Sequence, residues 1–171
     1  MSASNGFRRA GSPRRAGFTG VVLALALVAA GCSGSSGSTV VVTHGPVPKP
    51  AYIDNGDTGP SAGDVRLFNV PATGPGGAAV ATNWVMTTTA EDAPEKGVES
   101  RITSAVFSFS DTDTLLLQGV GLYPGEGATL KPATSVARAI IGGTGKYEGA
   151  TGWVESTHNA DDTWTHTFHI D

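Results

Sequence analysis

Cysteine is nearly absent from this chain of 171 residues. Cys32 stands alone, so no disulfide can form within the chain. Charged side chains make up only 15% and aromatic ones 7%, whereas glycine occurs 24 times, a balance that suits a small all-β protein with many turns. No long 3.6-residue apolar period exists beyond the N-terminal segment, and no apolar run reaches the roughly 20 residues that cross a bilayer as a helix. A Gly-x-Ser-x-Gly elbow is missing, which removes one hydrolase signature. Beyond the N-terminus the cations do not cluster, and a nucleic-acid surface needs a positive patch, so nucleic acid is excluded as a partner. The length allows one domain.

The N-terminus carries a targeting pattern instead. Arg8, Arg9, Arg14 and Arg15 form a basic region, and residues 21–30 form a short apolar run, the layout of a signal peptide. The run ends in Ala29-Ala30-Gly31-Cys32, which resembles a bacterial lipoprotein processing site with Cys32 as the lipidated first residue. Residues 1–31 are therefore expected to be a lipoprotein signal peptide, with Cys32 the lipid attachment. Two acyl chains hold a protein stably on a membrane, so the mature chain is expected on the extracytoplasmic face of the cell membrane. Arg14-Arg15 leaves the route open between general secretion and twin-arginine export. Removal of four of the eleven basic residues leaves seven against fifteen acidic ones, a formal charge of −8.

Residues 32–50 read as a linker, flexible and Gly/Ser-rich at first, then extended at Pro46, Pro48 and Pro50. Val40-Val41-Val42 inside it has an alternative reading as a first short strand. The domain proper is expected over 51–171. Strands are expected at 65–70, ending at Pro71, and at 78–89, with Trp84 and Met86 on one face. Residues 91–99 are charged and contain Pro94 and Gly97, and read as an exposed loop. The strand at 102–110 places Thr103, Ala105, Phe107 and Phe109 on one face, and the strand at 115–123 alternates Leu115, Leu117 and Tyr123 against Leu116, Gln118, Val120 and Leu122. Apolar groups on both faces suit a closed barrel whose outside is partly covered by a neighbouring subunit. Strands at 135–141, 147–157 and 163–170 complete the set, and short strands with regular turn signals are the pattern of an all-β barrel or sandwich.

Three motifs invite chemistry. Gly-Thr-Gly-Lys at 143–146 suggests a phosphate loop, but Ile140 and Tyr147 stand where glycine and Ser or Thr are required. Asp54, Asn55 and Asp57 suggest a calcium loop, but Gly56 falls at a ligand position and no glutamate follows. Turn chemistry accounts for them. His166 points with Trp164 and Phe168 while His169 points the other way, so a regular strand does not bring both to one metal. No metal and no cofactor are expected. Asp54 and Asp64 are the candidate proton-transfer groups should either enter a barrel mouth, where burial raises a carboxyl pKa. The competing role for both is turn capping.

The stretch Ala139-Ile-Ile-Gly-Gly-Thr-Gly-Lys-Tyr-Glu-Gly-Ala-Thr-Gly152 reads as an apolar run, a glycine reversal at 142–145 and a curved second strand. It resembles the signature hairpin of the allene oxide cyclase and dirigent proteins. Gly63-Asp64-Val65-Arg66-Leu67-Phe68 is similar to that family's early Gly-Asp-x-x-x-Phe, and Phe107-Ser-Phe-Ser-Asp111 with Leu117-Gln118-Gly119 resembles its central hairpin. Trp164-Thr-His-Thr-Phe168 resembles its closing strand, so the likeness spans 52–170 in the same order. The resemblance implies an all-β fold, an eight-stranded antiparallel β-barrel, usually trimeric, with an apolar cavity. It transfers no catalytic residue. The cyclase glutamate would fall near Tyr52-Ile53-Asp54, its asparagine at Val70 beside Asn69, and its cysteine near Trp84. Three functions fit this frame: a barrel that binds or orients a small apolar ligand, a cofactor-free cyclase or isomerase, and a solid cell-surface structural protein. The state of the barrel interior separates them.

Overall fold

Period-two alternation governs most strands of the described residues. The computed structural model describes residues 37–125 and 129–171. Its strands are β1 (Ser38–His44), β2 (Ala51–Ile53), β3 (Val65–Thr73), β4 (Ala79–Ala90), β5 (Val98–Ser108), β6 (Thr114–Pro124), β7 (Thr134–Thr144), β8 (Gly152–His158) and β9 (Trp164–Ile170). No α-helix occurs among the described residues, only short 3-10 turns at Pro75–Gly77 and Gly145–Tyr147. All pairings are antiparallel, in the order β1-β9-β8-β7-β6-β5-β4-β3-β2, and β1 also meets β3 at Thr43↔Thr73. That pairing closes eight strands into a barrel and leaves β2 as an extra strand on the far end of β3. The closed eight-stranded antiparallel barrel expected from the sequence is the observed fold.

The structure redraws several boundaries. β1 lies inside the stretch read as linker and pairs along its length with β9, from Ser38↔Ile170 to His44↔Trp164. Its β-branched run buries Val42 and turns Val41 outward, so the barrel starts at Ser38 rather than at 51. Residues 1–31 and Cys32 lie outside the described residues. β3 does not stop at Pro71, which pairs with Ala81 and lies between the segments of β3 that meet β1 and β2. There, among the described residues, the second edge of β3 has no partner, and an edge tolerates the missing proline N–H.

β7 likewise runs through Gly142 and Gly143 to Thr144, with a bulge against β6 between Leu116 and Leu117. The reversal follows, over the 3-10 turn, and β8 begins at Gly152 rather than 147. Gly143 is packed so closely that a Cβ would stand 2.5 Å from the Tyr147 carbonyl oxygen and 2.6 Å from that of Thr114.

Inward positions follow a gradient along the barrel. On β5 they run Glu99, Arg101, Thr103, Ala105, Phe107, from charged to apolar. At the apolar end Phe107, Leu115, Leu117, Val154, Phe168 and Val42 are fully buried, and Phe107 meets Phe168 edge-on at 4.9 Å. At the other end the interior is polar. Outside, Leu67, Val85, Ile102, Val120 and Leu122 remain exposed on neighbouring strands β3 to β6.

Gly152 has φ +119 and presses against the carbonyl of His169 on β9, so a side chain there meets both strain and backbone. Gly152→Ala is expected to lower stability by about 2 kcal/mol or more. Urea denaturation of the variant beside the parent measures the loss.

Candidate binding cavity

Charged residues at inward positions of β3, β5 and β7 build the polar half. Arg66 shares a face with Phe68 and Val70, and Arg101 with Thr103 and Ala105, so the same alternation that buries the core carries both guanidinium groups inside. Glu99 Oε2 receives Arg101 Nε at 2.8 Å and lies 3.3 Å from Arg66 Nη2. The Thr88 hydroxyl accepts from Arg66 Nη1 at 2.9 Å and donates to Glu99 Oε2 at 3.1 Å. The segment 91–99 is therefore not wholly an exposed loop: Glu99 opens β5 and is buried. A buried carboxylate is stable only when paired.

The network continues through Tyr123. The Arg101 guanidinium sits 4.7 Å from the centre of its ring, and its hydroxyl accepts a 2.6 Å bond from Arg138 Nη2. Glycine makes room for this arrangement. A Cβ at Gly119 would lie 2.9 Å from Arg138 Cγ, and one at Gly121 would lie 2.8 Å from the Tyr123 ring. The β6–β7 ladder ends at Gln118↔Ala139, so Arg138 follows directly where the two strands part.

Beside this network lies a cavity of about 20 Å³, room for about one water molecule. Phe68, Val70, Trp84 and Met86 form its apolar wall, Tyr123, Arg138, Trp164, His44 and His166 its polar side, and Val47 and Thr129 reach it from connecting segments. Its rings form a cluster: His166 lies 5.1 Å from His44 and 5.3 Å from Trp84, and Trp164 stacks on His158 at 4.6 Å. Burial holds the His166 imidazole well below its ordinary pKa, with His44 and Arg138 pushing the same way. His44 is lowered too, by burial against the pull of its bond to the Gly45 carbonyl.

Most buried polar atoms in the barrel are paired, and the exceptions gather here. Arg138 Nε and Nη1, Trp164 Nε1 and His166 Nε2 have no hydrogen-bond partner, and all three residues line the cavity. A fifth unpartnered atom, Glu99 Oε1, belongs to the charged network. Unsatisfied buried groups are rare in folded proteins, and a cluster of them calls for an explanation.

The two carboxylates singled out in the sequence lie elsewhere. Asp54 is exposed and accepts a 3.4 Å bond from the Gly59 amide. Asp64 is fully buried, but it staples the segment before β3, accepting from the Ser61 amide at 2.7 Å, the Asn55 amide at 3.0 Å and the Tyr52 hydroxyl. Burial pushes its carboxyl up, and these bonds outweigh burial and hold it below its ordinary value. The same contact pushes the Tyr52 phenol up to about 12. Neither aspartate lines the cavity. His166 and His169 do point to opposite sides: His166 is fully buried, and His169 stacks on the exposed Trp153 at 4.2 Å.

No family model and no curated protein matches this sequence. Solved structures do match. A pyocyanin demethylase superposes with a TM-score of 0.57 at 17% identity, covering 79% of this chain and 99% of the other. A pterocarpan synthase dirigent protein superposes with a TM-score of 0.53 at 16% identity, covering 96% of each chain. At such identities the likeness is one of fold: the chain is a dirigent-like β-barrel.

A histidine kept neutral by burial binds protons more readily once unfolded. It therefore favours folding above its unfolded pKa, near 6.5, and that contribution is lost as pH falls below it. The urea midpoint is expected to drop between pH 7 and pH values below 6.5, and His166→Gln is expected to flatten part of the fall.

Proposed function

We propose that this chain is a lipid-anchored, extracytoplasmic barrel that binds or orients a small, largely apolar ligand. The observation that carries the reading is the set of unpartnered buried atoms on Arg138, Trp164 and His166, gathered at one aromatic-lined cavity. One water in the void accepts from at most two of these groups, so a purely structural barrel still leaves buried polar atoms without partners there. The closed barrel supports the reading in that eight strands enclose an interior that either side chains fill or one small ligand occupies.

The cyclase or isomerase reading receives less support, because among the described residues no carboxylate lines the cavity. The solid-barrel reading draws on a different observation, the void of only about 20 Å³. A ligand larger than water would have to displace Val47 and Thr129, which come from connecting segments rather than strands. The exposed apolar stripe of Leu67, Val85, Ile102, Val120 and Leu122 supports a homotrimer with this face covered.

Native mass spectrometry of the full chain from its source is expected to give a trimer carrying a co-purified small molecule. A ligand-free protein that also binds none of a library of small apolar compounds would establish the solid barrel instead. The anchor is tested separately. A fatty-acid analogue fed to growing cells is expected to label the protein, and Cys32→Ser to abolish the label and move the chain to the soluble fraction. An unlabelled parent chain would end the anchor assignment and leave the cavity argument standing.

A further inference from the structure

Arg138 is a buried cation with no counter-ion among the described residues. Among the described residues no carboxylate lies within ion-pair distance of it, and its one bond goes to the Tyr123 hydroxyl. The face of the same Tyr123 ring carries the Arg101 guanidinium, itself paired with Glu99. Glu99 is engaged by Arg66 and Arg101 through a single oxygen. Guanidinium does not shed its proton in proteins, so burial cannot neutralise Arg138 as it neutralises His166. A charge in this position is stable only with an anion beside it.

The other unpartnered atoms fit the same need. Trp164 Nε1 carries a hydrogen and can only donate. His166 Nδ1 lies 2.9 Å from the Ser156 hydroxyl. When that hydroxyl donates, His166 Nε2 carries a hydrogen as well and is the fourth free donor atom of the cavity. Among the described residues no acidic side chain lines the cavity. The same lining includes Phe68, Trp84 and Met86, apolar side chains suited to a flat apolar body.

We propose that the ligand of this barrel carries an anionic oxygen group that docks on Arg138, with Trp164 and His166 as further donors and the apolar body against Trp84 and Phe68. The inference rests on the reading of the barrel as a binding module and adds the charge of what it binds. The existing void takes a single oxygen in place of one water, and the body extends towards Val47 and Thr129.

Isothermal titration of the purified full chain with benzoate and with benzyl alcohol separates the two claims. Both probes have the same ring, and only one is an anion. Benzoate is expected to bind about tenfold or more tightly than the alcohol, as a charge-assisted bond requires. Arg138→Met is expected to bring benzoate to the level of the alcohol, and Arg138→Lys to keep part of the preference. The thermal midpoint of ligand-free Arg138→Met is expected to lie at or above that of the parent, because an uncompensated charge has gone. Equal binding of the two probes by the parent chain overturns the anionic docking group and leaves the binding module standing. A benzoate preference that survives in Arg138→Met overturns the assignment to Arg138. Binding of neither probe overturns the anionic docking group, and the compound library then decides whether the binding module stands.

Discussion

One glutamate holds the polar half of this barrel together. Glu99, on β5, is a buried carboxylate facing two buried guanidinium groups, Arg101 on its own strand and Arg66 on β3. Removing a partner from such a cluster leaves an uncompensated charge, which costs several times what a surface ion pair contributes. The relative placement of β3 and β5 at that end is therefore specified by charge, where the other end is specified by the packing of Phe107, Leu115 and Phe168. The two kinds of constraint act at opposite ends of the same strands, and the cavity lies among groups of both kinds.

Glycine sets how closely these parts approach. Gly119 and Gly121 leave the space taken by the Arg138 stem and the Tyr123 ring. Gly143 and Gly152 let the strand ends at the β7–β8 reversal press on neighbouring backbone. In a small closed barrel the interior is filled by side chains unless some are small. Glycines that carry no chemistry thus decide where chemistry fits.

Much of the fold was legible because strand alternation is a local property. The inward set on β5 and β6 and the opposite facing of His166 and His169 follow from period two, whereas the turn residues left barrel or sandwich open and the resemblance of the glycine hairpin and its flanking motifs implied the closed eight-stranded barrel. The site was less legible. Alternation puts Glu99 and Arg101 on the same face as Phe107, but the partner of Glu99 on β3 is fixed by closure of the sheet, a long-range event. Pro94 and Gly97 marked a loop whose end could not be set to the residue, and the charge of Glu99 placed it outside. Asp64 was singled out for its place at the start of a strand, and its amide bonds make it a staple. The three arginines were the available signal, since each shares a face with apolar residues of its strand, Arg66 with Phe68 and Val70, Arg101 with Ala105 and Phe107, and Arg138 with Ile140.

Lysine and arginine are sorted completely in the domain. After residue 31 every arginine (Arg66, Arg101, Arg138) is buried, and every lysine (Lys49, Lys96, Lys131, Lys146) is exposed. The protein thus turns an acidic, amine-studded exterior to its surroundings and keeps guanidinium within. Amine-selective reagents report only on the coat of the molecule, dicarbonyl reagents selective for guanidinium report only on its opening, and the two colours of label read the barrel from outside and inside independently.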